Sequence, residues 1–152
     1  MTVSDAERGQ VPDIARIERA CFSDPWTEAQ IASQLTDESH VFLAAAENGE
    51  TLGYISLMHV LDEGYIGNVA VAPEHRRQGV GRTLVEAMTA RARALSLAFL
   101  TLEVRESNFP ARTLYAACGY RDVGLRRDYY EKPRENAVLM TLELNDDCMC
   151  GR

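Results

Sequence analysis

A basic, glycine-containing turn joins an apolar strand to an amphipathic helix in the middle of the chain. It reads Arg76-Arg77-Gln78-Gly79-Val80-Gly81-Arg82 and follows the strand-like segment Val69-Ala70-Val71. The two glycines let backbone N–H groups turn toward a ligand, and the helix that follows adds unpaired N–H groups and the positive end of its dipole. The three arginines supply further positive charge. These features predict a phosphate-binding loop.

Two common phosphate loops are excluded by residue type. A Walker loop needs Gly-Lys-Ser/Thr, and the chain has Gly81-Arg82-Thr83. A dinucleotide loop needs a third glycine where the chain has Leu84. The pattern that remains is Arg-x-x-Gly-x-Gly.

That pattern, placed after the strand Gly67 to Val71, resembles the acetyl-coenzyme A loop of the GNAT superfamily of N-acetyltransferases. Four other segments resemble its RimI branch, bacterial enzymes that acetylate the N-terminal alanine of a ribosomal protein. They are Pro25-Trp26-Thr27-Glu28, Leu102-Glu103-Val104-Arg105-x-Ser107-Asn108, Ala111-x-x-Leu114-Tyr115-x-x-x-Gly119-Tyr120 and Arg126-Arg127-x-Tyr129-Tyr130. The resemblance extends from about residue 12 to residue 144.

The resemblance implies how acetyl-coenzyme A is held. In the GNAT fold two central parallel strands separate, and the gap admits the pantetheine arm. Backbone groups of Val69 to Val71 are then expected to pair with that arm like an added strand, and the turn Arg76 to Arg82 to hold the phosphates. Asn108 is expected to bond the same arm. Asn108 also precedes Pro110 at a good helix N-cap position, so a purely structural role explains it equally.

Glu103 is the candidate general base. Acetyl transfer to an amine requires that the amine lose a proton, attack the thioester carbonyl and release a thiolate that takes a proton. Glu103 lies in Phe99 to Val104, a segment otherwise made of strand formers. Apolar surroundings would make this carboxylate a stronger base. The alternative is a strand-end ion pair with Arg105 or Arg126.

Tyr115 is the candidate general acid. Its helical spacing with Ala111, Leu114 and Cys118 is by itself typical of a core tyrosine. The resemblance implies instead that its hydroxyl protonates the departing coenzyme A thiolate, which a phenol can do at neutral pH. Packing against the cofactor is the alternative.

The acceptor peptide is expected between two aromatic walls. The resemblance places Tyr129 and Tyr130 in a loop between the last two strands that closes over the peptide, where their hydroxyls hold its backbone. Trp26 and the first helices would form the opposite wall. A tryptophan beside a proline is otherwise explained by packing alone.

The chain of 152 residues is 46% hydrophobic and 26% charged, which fits one globular domain. We expect a single mixed α/β domain over residues 1–144, with a central, mostly antiparallel sheet flanked by helices, and a disordered tail over 145–152. The predicted helices are Pro12 to Phe22, one from a Thr27 capping box, Arg82 to Ser96, and Pro110 to Cys118. The predicted strands are Val41 to Glu47, Leu52 to Val60, Tyr65 to Val71, Phe99 to Val104, Tyr120 to Arg126 and Ala137 to Leu144, with Tyr65 to Val71 and Phe99 to Val104 parallel.

Charge and hydropathy exclude several classes of function. The net charge of −7 argues against nucleic acid and anionic membranes as partners. It suits a basic polypeptide substrate, although solubility explains it equally. Without a long apolar run or the basic and apolar regions of a signal peptide, a cytoplasmic protein is expected.

Neither the cysteines nor the histidines form a metal-binding pattern. In a cytoplasmic chain Cys21 and Cys118 are expected to be free thiols in the core, and Cys148-Met149-Cys150 lies in the tail without further ligands. The three histidines, His40, His59 and His75, are scattered, and His75 is expected to be solvated. No metal is predicted.

The resemblance implies an acetyl-coenzyme A-dependent enzyme that acetylates the N-terminal alanine of small-subunit ribosomal protein eighteen. Direct attack by the amine makes a covalent acyl-enzyme unnecessary. Another amine acceptor, a protein lysine or a small polyamine, is the alternative within this class. A domain that binds acyl-coenzyme A as a sensor without turnover is the alternative outside it. The oligomeric state is open, and a monomer fits the sequence.

Overall fold

The computed structural model describes residues 1–144. Over that range the helices are α1 (Val11–Cys21), α2 (Glu28–Leu35), α3 (Val80–Ala94) and α4 (Phe109–Ala117), with 3-10 turns at Arg8–Gln10 and Pro73–His75. The strands are β1 (Thr2–Asp5), β2 (His40–Glu47), β3 (Glu50–Val60), β4 (Glu63–Val71), β5 (Phe99–Arg105), β6 (Arg121–Glu131) and β7 (Arg134–Glu143). The tail containing Cys148 and Cys150 lies outside the described residues.

The strands form one sheet in the order β1-β2-β3-β4-β5-β7-β6. All neighbouring strands are antiparallel except β4 and β5, which are joined through α3 and are parallel. The predicted mixed, mostly antiparallel sheet is confirmed. The predicted helices are also confirmed, and the Thr27 capping box at the start of α2 is formed by both of its hydrogen bonds with Gln30.

The central parallel strands pair over only three positions. Their register matches Glu63 to Phe99, Gly64 to Leu100 and Tyr65 to Thr101. Beyond Tyr65, β4 continues to Val71 and β5 to Arg105 without further pairing. The two strands therefore leave a notch between residues 66–71 and residues 102–105, as the resemblance implied.

A bulge in β4 lies at the start of the notch. The register shifts between Ile55 and Leu57 of β3, where Gly67 and Asn68 of β4 lie opposite the single residue Ser56. The Asn68 backbone N–H donates to the Ser56 Oγ at 3.0 Å. A bulge of this kind bends the strand and changes the direction of the side chains that follow.

Glycine is required at position 67. A Cβ atom there would lie 2.7 Å from the Ser56 Oγ and 3.3 Å from the Trp26 ring. The indole of Trp26 therefore rests against the backbone of the bulge, and a side chain at position 67 would displace it.

The sheet carries a hydrophobic cluster on each face, because neighbouring strand residues point to opposite sides. Leu43 belongs to the cluster covered by α3 and α4, which also contains Leu84 and Met88. Phe42 belongs to the cluster covered by α1 and α2, with Ile14. The two helix pairs thus hold the central strands from both sides.

Three features differ from the sequence prediction. Strand β1 was not predicted, and Arg91 of α3 holds it by donating two hydrogen bonds to Asp5, at 3.0 and 3.1 Å. Cys21 and Cys118 are free thiols but only half-buried, so both lie at the margin of the core. Strand β6 extends to Glu131, five residues beyond its predicted end. Within residues 1–144 the helices are too short or too polar to cross a membrane.

Candidate active site

The basic turn ends in an uncapped helix start. Gly79 has φ 82° and is the N-cap of α3, and the first turn of the helix contains neither a side-chain cap nor an acidic residue. The backbone of Arg77 is also in the left-handed region, with φ 63°. The first N–H groups of α3 therefore lack a side-chain acceptor, which fits a phosphate ligand at this helix end.

The arginines of the turn do not share one role. Arg76 turns back toward β4, donating from Nε to the Val71 carbonyl at 3.4 Å and from Nη2 to the Cys21 Sγ at 3.3 Å. Arg82 pairs with Glu86 one helical turn later, at 3.1 Å. Arg77 is exposed. Arg76 thus lies against β4 and Cys21, and its expected part in holding the phosphates stays a prediction.

His75 at the edge of the turn is paired rather than merely solvated. Its Nε2 lies 3.0 Å from the Glu50 Oε2. This carboxylate raises the pKa of His75 above its ordinary value. The pair ties the 3-10 turn before the basic loop to the start of β3.

The notch fits the pantetheine arm of acetyl-coenzyme A. Beyond Tyr65, the edge of β4 that faces β5 has no strand partner among residues 1–144, and this edge includes Val69, Ala70 and Val71. Backbone amides along an unpaired edge can bond an extended, amide-containing ligand as they would bond another strand. The notch and the uncapped start of α3 together match the two halves of this cofactor.

A groove of about 770 Å³ opens from the notch. It brings together most of the residues predicted to act on substrate or on the reactive end of the cofactor. The predicted residues that line it are Trp26, Val69, Glu103, Asn108, Tyr115, Tyr129 and Tyr130. Ala70, Val71 and the turn Arg76 to Arg82 are not part of its lining.

Glu103 faces the groove from β5 with 29% of its side chain exposed. Its neighbours Leu102 and Val104 are buried on the opposite face, as the strand alternation predicted. Its Oε2 lies 3.1 Å from the Arg126 Nε, and its Oε1 accepts a hydrogen bond from the Tyr129 hydroxyl at 3.4 Å. Both oxygens of Glu103 therefore have polar partners. The ion pair with Arg126, considered above as the alternative, is formed, and Glu103 also lines the groove.

Tyr115 is both a core residue and a groove residue. It is 8% exposed, and its ring centroid lies 5.7 Å from that of Tyr120. Burial raises the pKa of Tyr115 well above its ordinary value. The hydroxyl therefore stays protonated, and able to donate, throughout the neutral range.

Asn108 caps α4. Its Oδ1 accepts a hydrogen bond from the Ala111 backbone N–H at 3.2 Å. Because the side chain also lines the groove, its amide N–H group remains the part suited to a ligand. The structural role is confirmed and does not exclude the binding role.

The residues of both predicted aromatic walls line the groove. Trp26 follows α1 and packs on the cluster beneath α1 and α2 while it lines the groove. Tyr129 and Tyr130 lie in β6 itself, so their predicted position in a loop was wrong. Strand pairing continues through Tyr130, opposite Glu135, because the backbone irregularity between Arg126 and Tyr130 is absorbed within the strand.

Tyr130 is held by Arg105, whose guanidinium lies 4.3 Å from the ring centroid. The same guanidinium donates to the Pro133 carbonyl at 2.8 Å and pairs with Glu135 at 3.2 Å. Burial is the main cause that raises the pKa of Tyr130 to about 12. Arg105 thus fixes the tip of the β6–β7 hairpin beside the groove.

The sequence prediction missed a buried carboxylate beneath the groove. Glu18 of α1 is 0% exposed and bonds to Trp26, Tyr54 and Asn68. The signal was present, because Glu18 falls on the apolar stripe of α1 beside Ile14. An acid on such a stripe needs buried partners, and these came from segments distant in sequence.

Residues 11–120 match the family model described as the acetyltransferase (GNAT) family. The chain belongs to the GNAT family. As a GNAT protein it is an acetyltransferase, an enzyme class that transfers an acetyl group from acetyl-coenzyme A to an amine.

Two GNAT relatives match almost the whole chain. The ribosomal protein bS18-alanine N-acetyltransferase of Escherichia coli strain K12 is 34% identical over 146 residues, covering 95% of this chain and 98% of that protein. The protein of the same name from Haemophilus influenzae is 32% identical, covering 93% of this chain and 98% of its own length. The crystal structure of the ribosomal-protein-S18-alanine N-acetyltransferase from Escherichia coli has a TM-score of 0.86 at 33% identity, and 98% of each chain is covered. These similarities confirm the GNAT fold and the RimI-type branch.

Proposed function

We propose that the protein acetylates the N-terminal α-amine of a ribosomal protein whose first residue is alanine, a substrate of the bS18 type. One observation carries the proposal: Glu103, Tyr115 and the unpaired edge of β4 meet in a single groove, whose outer part is lined by Trp26 and by the two tyrosines of β6. The names of the similar proteins support the choice of acceptor.

In this proposal Glu103 accepts the proton that the amine must lose. An α-amine titrates near pH 8, well below a lysine, so a weak base removes its proton efficiently. The amine nitrogen then forms the new bond to the acetyl carbon as the carbon–sulfur bond breaks. Tyr115 donates its hydroxyl proton to the departing thiolate sulfur.

Acetyl-coenzyme A supplies the activated acetyl thioester, and three parts of the chain are proposed to hold it. The edge Val69 to Val71 bonds the pantetheine arm, and one N–H group there polarises the thioester carbonyl. The turn from Gln78 to Arg82 and the start of α3 bind the phosphates. The free amide N–H group of Asn108 adds a bond to the arm.

The decisive experiment measures free-thiol release from acetyl-coenzyme A in the presence of two peptides. One begins with alanine, has a ribosomal-protein sequence and carries a free α-amine, and the other has the same sequence with its α-amine blocked and a lysine left free. Release with the first peptide alone is expected. Equal release with both would replace the proposal by lysine or broad amine acetylation, and cofactor binding without release on any amine would replace it by the sensor function.

A further inference from the structure

Glu18 joins three separate segments through one buried carboxylate. The Trp26 backbone N–H donates to Oε1 at 2.8 Å, and the Asn68 side-chain amide donates to Oε2 at 2.7 Å. The Tyr54 hydroxyl also donates to Oε2. With 0% of the residue exposed, all of these bonds are protected from water.

Two of the three donors belong to residues that line the groove. Trp26 forms the wall contributed by the segment between α1 and α2, and its indole rests on Gly67. Asn68 lies in the β4 bulge, immediately before Val69 on the edge that faces the notch. Tyr54 is fully buried in β3 and anchors the carboxylate to the core.

We propose that Glu18 is a positioning residue that fixes the acceptor wall at Trp26 against the β4 bulge at Asn68, and so sets the width of the acceptor part of the groove. The inference rests on the proposed function, because it assigns this wall to the acceptor amine and its peptide. Glu18 itself lies outside the groove lining and has no direct contact with the reaction.

The chemistry of the contact argues for positioning rather than for stability alone. Removing a carboxylate from water is costly unless strong hydrogen bonds compensate, and a pair of apolar side chains would fill the same space at lower cost. Hydrogen bonds to a buried charge are short and directional, so they specify geometry more tightly than apolar packing does. Here the hydrogen bonds hold the connection between α1 and α2, at Trp26, at a fixed distance from strand β4, at Asn68.

The first test uses the position of the wall and is independent of catalysis. Trp26 is the only tryptophan of the chain, so its fluorescence reports this wall alone. Glu18→Gln should shift the emission of Trp26 to longer wavelength and raise its quenching by acrylamide by about twofold. The reason is that the backbone N–H of Trp26 loses its carboxylate acceptor, which loosens the segment that carries the indole. Tyr54→Phe is the matched control, since it removes a bond to the same carboxylate from the core side and should leave the fluorescence unchanged.

The second test separates the acceptor from the cofactor. Glu18→Gln should raise KM for the alanine-starting peptide about tenfold, the effect of weakening one charge-assisted hydrogen bond, and change the KM for acetyl-coenzyme A less than twofold. Tyr54→Phe should lower thermal stability to a similar extent without the rise in peptide KM.

The two proposals fail in different ways. If the wild type releases no thiol with any amine, the proposed function fails, whereas the fluorescence comparison still decides whether Glu18 holds Trp26. If the wild type is active but Glu18→Gln and Tyr54→Phe change fluorescence and peptide KM equally, Glu18 acts through stability alone and the inference is overturned. An unchanged fluorescence and peptide KM in a folded Glu18→Gln protein would overturn it as well.

Discussion

At the residue scale, the central feature is that Glu103 already has partners on both carboxylate oxygens. The Arg126 Nε lies 3.1 Å from one oxygen, and the Tyr129 hydroxyl donates to the other oxygen at a long 3.4 Å. Since Tyr129 is 47% exposed, its hydroxyl can be displaced by an incoming amine. The Glu103 side chain thus faces the groove with one long hydrogen bond that substrate can replace.

Replacing Glu103 by glutamine tests its role as base. Glu103→Gln should lower kcat by about 10²- to 10⁴-fold, the usual contribution of a general base, with little change in acetyl-coenzyme A affinity. Steady-state thiol release and calorimetric cofactor binding measure the two effects. Glu131→Gln, which changes another carboxylate of the groove lining, is the matched control and should retain kcat within about threefold. Full turnover by Glu103→Gln would exclude it as base.

The buried hydroxyl of Tyr115 predicts a specific pH dependence. Its pKa lies above the ordinary value of 10.0, so the proton donor stays intact across neutral and mildly alkaline pH. A general acid with the ordinary phenol pKa would begin to lose its proton, and so lower kcat, as pH approaches about 10. We expect no such fall in the kcat of the wild type up to about pH 9.5. Tyr115→Phe should lower kcat at every pH by about 10²-fold or more. An alkaline fall in kcat centred below pH 10 that disappears in Tyr115→Phe would contradict this account.

The side of the strand on which Glu103 lies was easier to predict from the sequence than the partners that its side chain contacts. The strand pattern placed Glu103 correctly on the face opposite Leu102 and Val104, because alternation is a local property. Its partner Arg126 comes from β6, which reaches Glu103 only through β7 in the sheet. The sequence offered Arg105 and Arg126 equally, and only the strand order decides between them.

At the element scale, the turn before α3 depends on one left-handed glycine. Gly79 has φ 82°, a conformation that costs other residues about 1 kcal/mol or more, and it starts the helix whose N–H groups are proposed to bind phosphate. Gly49, in the hairpin between β2 and β3, has nearly the same φ, 81°, and lies outside the turn that starts α3. At both positions a Cβ would meet nothing within 4 Å.

These two glycines allow a matched comparison. Gly79→Ala and Gly49→Ala should lower the free energy of unfolding by similar amounts, about 1 kcal/mol each, because the backbone strain is alike. Only Gly79→Ala should also weaken acetyl-coenzyme A binding, by about tenfold or more, since the N–H groups at the helix start shift. Urea unfolding and isothermal calorimetry separate the two effects. Equal cofactor affinity in both variants would place the phosphates elsewhere.

The elements that were predicted correctly are those with strong local signals. The capping box at Thr27 and the apolar stripe of α3 fixed the positions of helices to within about two residues. Strand β1 has only four residues and is held by Asp5 contacting Arg91, which no local pattern reveals. The end of β6 was missed because the resemblance placed Tyr129 and Tyr130 in a loop, whereas the strand continues to the tight turn through its pairing with β7.

At the scale of the whole molecule, Glu18 links folding stability to pH. Burial raises the pKa of Glu18 above the ordinary value of 4.5, so the folded state binds this proton more strongly than the unfolded chain does. The stabilisation from the protonated carboxyl is therefore fully present below pH 4.5 and is lost as pH rises through the raised pKa of the folded state.

That linkage is measurable against the glutamine variant. As pH rises above about 4.5, the free energy of unfolding of the wild type should fall relative to that of Glu18→Gln, because only the wild type loses this proton. Urea unfolding at several pH values gives the difference between the two proteins. A difference that stays constant with pH would show that the Glu18 carboxyl titrates alike in both states.

The notch also leaves the centre of the sheet only partly paired. Three register pairs hold the half-sheet β1–β4 to the half-sheet β5–β7, and elsewhere the two halves depend on the packed helices. A donor molecule bound along the free edge, as proposed, would act as an eighth strand that the chain does not encode. Ligand bound at 100 times its Kd adds about 2.7 kcal/mol of stability, a large part of what holds a domain of this size together. The metabolic supply of acetyl groups would then govern how long each enzyme molecule persists, as well as how fast it works.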